Sequence, residues 1–189
     1  MTRDSGFKRR VRDRARRTGE SYSTARAHLL RRSVAADGEL VARCAAPMLP
    51  RLRAADAAAR RAVLPALTRE QGVLLAFWML FVHTGDGVTG LCRVHPHRLG
   101  DPDFWTLLET GLREDAALLG VITRLRAEVE STLEHAPDHG DYSWLDRMDT
   151  ATMRELDAEF RSVMPASLHQ MADRIRAHPD RFATGEAMR

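Results

Sequence analysis

The 189-residue chain carries 29 Lys and Arg, 26 Asp and Glu and two cysteines, which excludes a disulfide-framework protein and fits a reducing compartment. It is long enough for one compact core without metal or cross-link, since a domain of about 150 residues buries about 70% of the surface its unfolded chain exposes. Its basic start lacks the apolar segment of a signal peptide, and its longest strongly apolar run, residues 73–82, is about half the length of a bilayer span, so the expectation is a cytoplasmic protein away from the membrane.

The net charge of +3 hides two regions of opposite sign. Residues 1–34 hold eleven Lys and Arg against three acidic side chains, and the remaining residues hold eighteen against twenty-three. Within residues 127–160 ten carboxylates face only Arg147 and Arg154. Charge asymmetry on this scale points to interaction surfaces.

Residues 7–17 are rich in Arg, a good helix former, with no proline, which predicts a helix ended by Gly19. Ser21 is a suitable N-cap for a second helix in which Tyr22, Ala25 and Leu29 recur at three- and four-residue spacing. Residues 33–38 read as a linker, which divides the chain into a basic helical hairpin, 1–34, and a helical main domain, 35–189. In the main domain Asp37 is expected to cap a short helix through Leu40, Val41 and Cys44, interrupted by Pro47 and Pro50, and an Ala- and Arg-rich helix follows to residue 62.

Thr68 and Gln71 have capping-box spacing before a helix that is apolar on nearly every side, which predicts a central position. Residues 83–100, rich in Gly and His, read as a loop. Asp101-Pro102 opens the next helix, with Phe104, Leu107 and Leu108 on its apolar face. A long amphipathic helix over 113–133 carries Leu118, Leu119, Ile122, Leu125 and Val129, and residues 135–142 form a polar loop. A helix over 150–163, a break at Pro165 and a last helix ended by Pro179 complete the chain. The fold class is therefore all-α, a helical bundle with a basic two-helix extension. Its expected core includes Leu74, Leu75, Phe77, Trp78, Phe81, Leu118, Ile122, Leu125, Phe160 and Ile175.

Residues 83–97 contain the most site-like cluster, because Cys92, His95 and His97 could supply three donors to zinc. Their spacing is not that of a standard structural zinc site, and the expectation is a chain without metal or other cofactor. Gly85, Gly87 and Gly90 follow a helix with no lysine among them, so they do not make a phosphate loop. Carboxylate pairs two apart, such as Glu128 and Glu130, do not share a helix face. No catalytic motif is recognisable, and the chain reads as a non-enzyme.

From residue 67 onward the chain resembles a bacterial helical family described as DNA-mimic protein-like. The likeness is carried by LTREQGVLLAFWML, by the glycine-containing segment and helix after it, and by LDRMDTATMRELDAEFRSVMPASLHQMADRIRAHPDRFA with its His178-Pro179 ending. The family's Asn-Gly-Gly-Phe loop is replaced here by Thr84-Gly85-Asp86-Gly87. The resemblance covers roughly residues 67–184 and implies an all-helical fold and an acidic surface that imitates the phosphates of DNA.

Two expectations of function follow. The first is an interaction protein whose acidic side chains Glu128, Glu130, Glu134, Asp138, Asp141, Asp146, Asp149, Glu155, Asp157 and Glu159 bind a basic, DNA-binding protein. The alternative is a nucleic-acid-binding regulator in which Arg9, Arg10, Arg12, Arg14, Arg16, Arg17 and Arg26 neutralise phosphates. Either is compatible with a homodimer. A metal site or enzyme at residues 83–97 is the third reading.

Overall fold

A computed structural model describes residues 3–52, 67–134 and 142–182. These residues are helical throughout, with no strand among them, so the all-α expectation holds. No helix among them is long and apolar enough to cross a membrane. The helix expected to reach residue 62 and most of the polar loop 135–142 lie outside the described residues.

Helix α1, Arg3–Thr18, and helix α2, Tyr22–Ala45, form the basic hairpin. Gly19 turns the chain at φ +74°, a conformation glycine adopts without a Cβ clash, and its N–H bonds the Ala15 carbonyl at 2.9 Å. Ser21 caps α2 by accepting from the Thr24 N–H at 3.1 Å. Val11 and Ala25 are fully buried where the two helices meet. Tyr22, expected on the apolar face, is exposed, and Leu29 is half-buried.

The linker expected at residues 33–38 is absent, because α2 runs through it without a break. Asp37, expected to cap a helix, lies inside α2 and is buried. Gly38 costs about 1 kcal/mol in a helix interior, but the second half of α2 packs against two further helices, and tertiary packing outweighs propensity of that size. The hairpin is thus continuous with the main domain rather than tethered to it. A 3₁₀ turn, Ala46–Met48, and helix α3, Leu49–Leu52, follow.

Helix α4, Arg69–Phe81, opens with the expected capping box. The Gln71 N–H donates to Thr68 Oγ1 at 3.2 Å and the Thr68 N–H to Gln71 Oε1 at 3.1 Å. Val73 through Phe77 and Met79 and Leu80 are buried, so α4 is central as its composition requires. Trp78 and Phe81 are only half-buried, at the rim of the core, with ring centroids 5.8 Å apart. The other eight expected core residues are buried.

Residues 83–100 do not form the expected loop. They fold into α5, Gly87–Val94, and α6, Pro96–Leu99, which bury Val88, Leu91, Cys92 and Leu99. Helix α7, Pro102–Gly111, has the expected Asp101 cap and Pro102 start, and Trp105 Nε1 donates to the Leu99 carbonyl at 2.8 Å. Helix α8, Ala116–Glu134, leads by way of a second 3₁₀ turn, Tyr142–Arg147, to α9, Thr150–Ala177.

The break expected at Pro165 does not occur, since α9 runs through it. A proline removes the bond to the carbonyl four residues earlier, but both Pro165 and Arg161 lie on the exposed side, where water can reach that carbonyl. The buried side of α9 holds the helix together by packing on α2, α5 and α8. Pro179 opens a last short helix, α10, Pro179–Phe182.

Candidate nucleic-acid interface

The arginines of the hairpin are not equivalent. Arg9, Arg12, Arg17 and Arg26 are exposed, and no carboxylate holds them among the described residues. Arg9, Arg12 and Arg16 are spaced by three and four and share one side of α1, a row spanning about 10 Å of axis at 1.5 Å per residue. Arg16 pairs with Asp13 at the surface, and the Arg10 guanidinium lies 5.9 Å from the centroid of the Phe7 ring. Arg14 departs from the expected set. It is half-buried, pairs with Glu20 and contacts His28 Nδ1 at 2.8 Å. Its charge fixes the turn between α1 and α2 instead of facing a ligand.

The acidic stretch is organised differently, with five of its carboxylates engaged inside the fold. Asp157, on α9, accepts from both the Thr89 N–H at 3.0 Å and the Thr89 hydroxyl at 2.9 Å. It thereby caps the first turn of α5 from across the molecule. Gly87 makes this approach possible, since at φ +75° a Cβ there would lie 2.2 Å from Asp157 Oδ1. Asp149 caps α9 by accepting from the Ala151 and Thr152 N–H groups, and the Thr152 hydroxyl and these backbone bonds hold its carboxyl below the usual range. Glu128 accepts from the Asp149 N–H at 2.9 Å. Glu130 pairs with Arg126 at 2.7 Å and Glu159 with Arg124. Glu134, Asp146 and Glu155 are exposed. Asp138 and Asp141 lie outside the described residues.

Around residues 83–97, Cys92 is turned into the core. Burial, with the charge of Asp157 adding to it, pushes its thiol up to about 12, far from the thiolate that metal binding or nucleophilic attack needs. His83 is buried with Nε2 unbonded among the described residues, and its ring meets that of His95 edge-on with centroids 5.4 Å apart. Burial lowers the pKa of His83, opposed by the charge of Asp86. His95 is half-buried, not freely exposed. The side chain of His97 lies outside the described residues. No group of three His, Cys, Asp or Glu side chains among the described residues could hold a metal ion.

A cluster that sequence reasoning missed joins the hairpin to the main domain. Asp37, only 3% exposed, accepts from His169 Nδ1 at 2.9 Å and from the Arg176 guanidinium. Arg176 also donates to Asp173, whose carboxylate lies 3.7 Å from His169 Nε2. The hydrogen bond from Arg176 to Asp37 is the main reason that its pKa is raised. His169, Asp173 and Arg176 recur at four and three residues, so their common side of α9 was readable. Asp37 lies 132 positions from His169, and nothing in a single sequence announces that pairing.

The chain matches no protein-family model, no curated protein and no solved structure.

Proposed function

We propose that this chain is a binding protein, not an enzyme, and that its α1–α2 hairpin engages the phosphate backbone of nucleic acid. The observation that carries the reading is the exposed, unneutralised set Arg9, Arg12, Arg17 and Arg26 on a hairpin whose second helix continues into the core. Cations fixed on a rigid arm lose less freedom on binding than cations on a tether. The arm offers Ser23, Thr24 and Arg26 near the start of α2 and no Asn or Gln there, so binding rests on phosphate contacts and is largely independent of base sequence.

The competing reading is an acidic face for a basic protein, as the resemblance to DNA-mimic proteins implies. It retains the exposed Glu134, Asp146 and Glu155, but the carboxylates that bridge elements of the fold are less free to serve it. Fluorescence anisotropy of the full chain against a 20-base-pair duplex of arbitrary sequence, and separately against poly-lysine, distinguishes the two. Binding to the duplex, with little difference between two unrelated sequences, is the expected result. Binding to poly-lysine alone would favour the acidic-face reading.

A further inference from the structure

We propose that the groove between the hairpin and α9 is a binding site for a small amphipathic anion, a molecule with an apolar body of roughly ten carbons and a single carboxylate. The groove has a volume of about 850 Å³, within the roughly 300–1,000 Å³ typical of small-molecule sites. This inference is independent of the nucleic-acid reading.

The walls define the ligand. On the hairpin side the groove is lined by Phe7 of α1 and by Leu29, Leu30 and Val34 of α2, and on the other side by Pro165 and Ala166 of α9. Leu30 and Val34 are 40% and 38% exposed. Four residues apart on one helix, they form a continuous apolar strip open to water. Covering such a strip with a hydrocarbon body gains about 25 cal/mol for each Å² removed from water.

Charge fixes the head group. Four ionised side chains line the groove: Arg10, Arg32, Asp37 and Asp173. The two carboxylates share the single guanidinium of Arg176, so that with Arg10 and Arg32 three positive charges stand against two negative ones. Arg10 and Arg32 have no carboxylate partner among the described residues. The surplus charge of the groove is therefore positive and sits on the hairpin wall beside the apolar strip. An anion on these guanidinium groups, with its body laid along Leu30 and Val34, satisfies both features, whereas a cation of the same shape would meet Arg10 and Arg32 unfavourably.

The test is calorimetric titration of the full chain with decanoate below its micelle concentration, with decyltrimethylammonium and acetate as comparison probes. The expected result is saturable binding of one decanoate per chain, with Kd on the order of 100 µM or tighter. Binding of the cation and of acetate should be at least about tenfold weaker. Arg32→Glu reverses a charge in the groove, and Ala166→Trp fills it at an exposed position. Each should weaken decanoate binding at least about tenfold, while Arg31→Glu, on the same helix but outside the groove, should leave it within about twofold. Absence of saturable decanoate binding overturns the proposal. So does equal binding of the cation, or an Arg31→Glu loss as large as that of Arg32→Glu. Should Ala166→Trp lose its cooperative thermal transition, the Arg32→Glu and Arg31→Glu pair alone decides the matter.

Discussion

The basic hairpin and the acidic stretch look alike as sequence, each a run of one charge sign, but they differ in what their charges touch. Arg9, Arg12, Arg17 and Arg26 stand in water with no carboxylate partner among the described residues, whereas Arg16 pairs with Asp13 and Arg14 holds the turn. In the acidic stretch Asp157 and Asp149 cap helices, Glu128 supports one of those caps, and Glu130 and Glu159 pair with arginines of α8. A charged side chain that completes a backbone hydrogen bond belongs to stability, and one that completes nothing is available to a partner. The comparison turns a statement about composition into one about which substitutions unfold the chain and which leave it folded but unable to bind.

The sharpest way to break this comparison is at Gly87. Gly87→Ala sets a Cβ against Asp157 and asks a non-glycine residue to hold φ +75°. It should cost about 2 kcal/mol or more and lower the thermal midpoint by about 5 °C, measured by circular dichroism. Next comes the joint between hairpin and core. Asp37→Ala removes the buried acceptor that the water-exposed His169 and Arg176 share, and an expected loss of about 1 kcal/mol should appear in urea unfolding. An unchanged midpoint would mean that the hairpin does not depend on that cluster for its placement.

A smaller effect is expected at His83. Its pKa is lowered in the folded protein relative to the ordinary 6.5, by burial above all. As pH falls below 6.5 the unfolded chain therefore takes up a proton that the folded chain resists. Stability conferred by the neutral, buried ring is complete above that pH and is lost as pH falls toward the folded pKa. His83→Phe should flatten the dependence of the urea midpoint on pH in this window relative to the unsubstituted chain. Cys92, whose thiol is pushed up to about 12, should resist an aromatic disulfide reagent at pH 8 in the folded state and react once the chain is unfolded.

Much of the fold was legible in the sequence because it is carried by local rules. The Thr68–Gln71 capping box, the Asp101-Pro102 start and the all-round apolar α4 each follow from residues within one or two turns. The failures share a different physical origin. Residues 33–38 read as a linker because they are mostly small and polar, yet Asp37 finds Arg176 and His169 across the fold and α2 continues. Residues 83–100 read as a loop because Gly and His recur through them, yet Asp157 caps the first turn of α5 from a distant helix. Pro165 read as a break, yet α9 is held on its buried side by three neighbours. For the candidate interface, the sequence located the charge but not its availability, since only the partners of Arg14, Asp157 and Glu159 separate engaged charges from free ones.

The most direct measurement is the salt dependence of nucleic-acid binding for the full chain and for the fourfold variant with Arg9, Arg12, Arg17 and Arg26 replaced by Ser. Exposed substitutions of this kind should each change stability by less than about 0.5 kcal/mol, so the variant should keep its thermal midpoint. Four phosphate contacts correspond to a slope of about −3.6 in log K against log salt, or roughly a hundredfold loss of affinity between 50 and 200 mM. The expected result is that slope in the unsubstituted chain, collapsing toward zero in a variant that remains fully folded. An unchanged slope and affinity in the folded variant would contradict the assignment of the α1–α2 hairpin as the phosphate-binding surface.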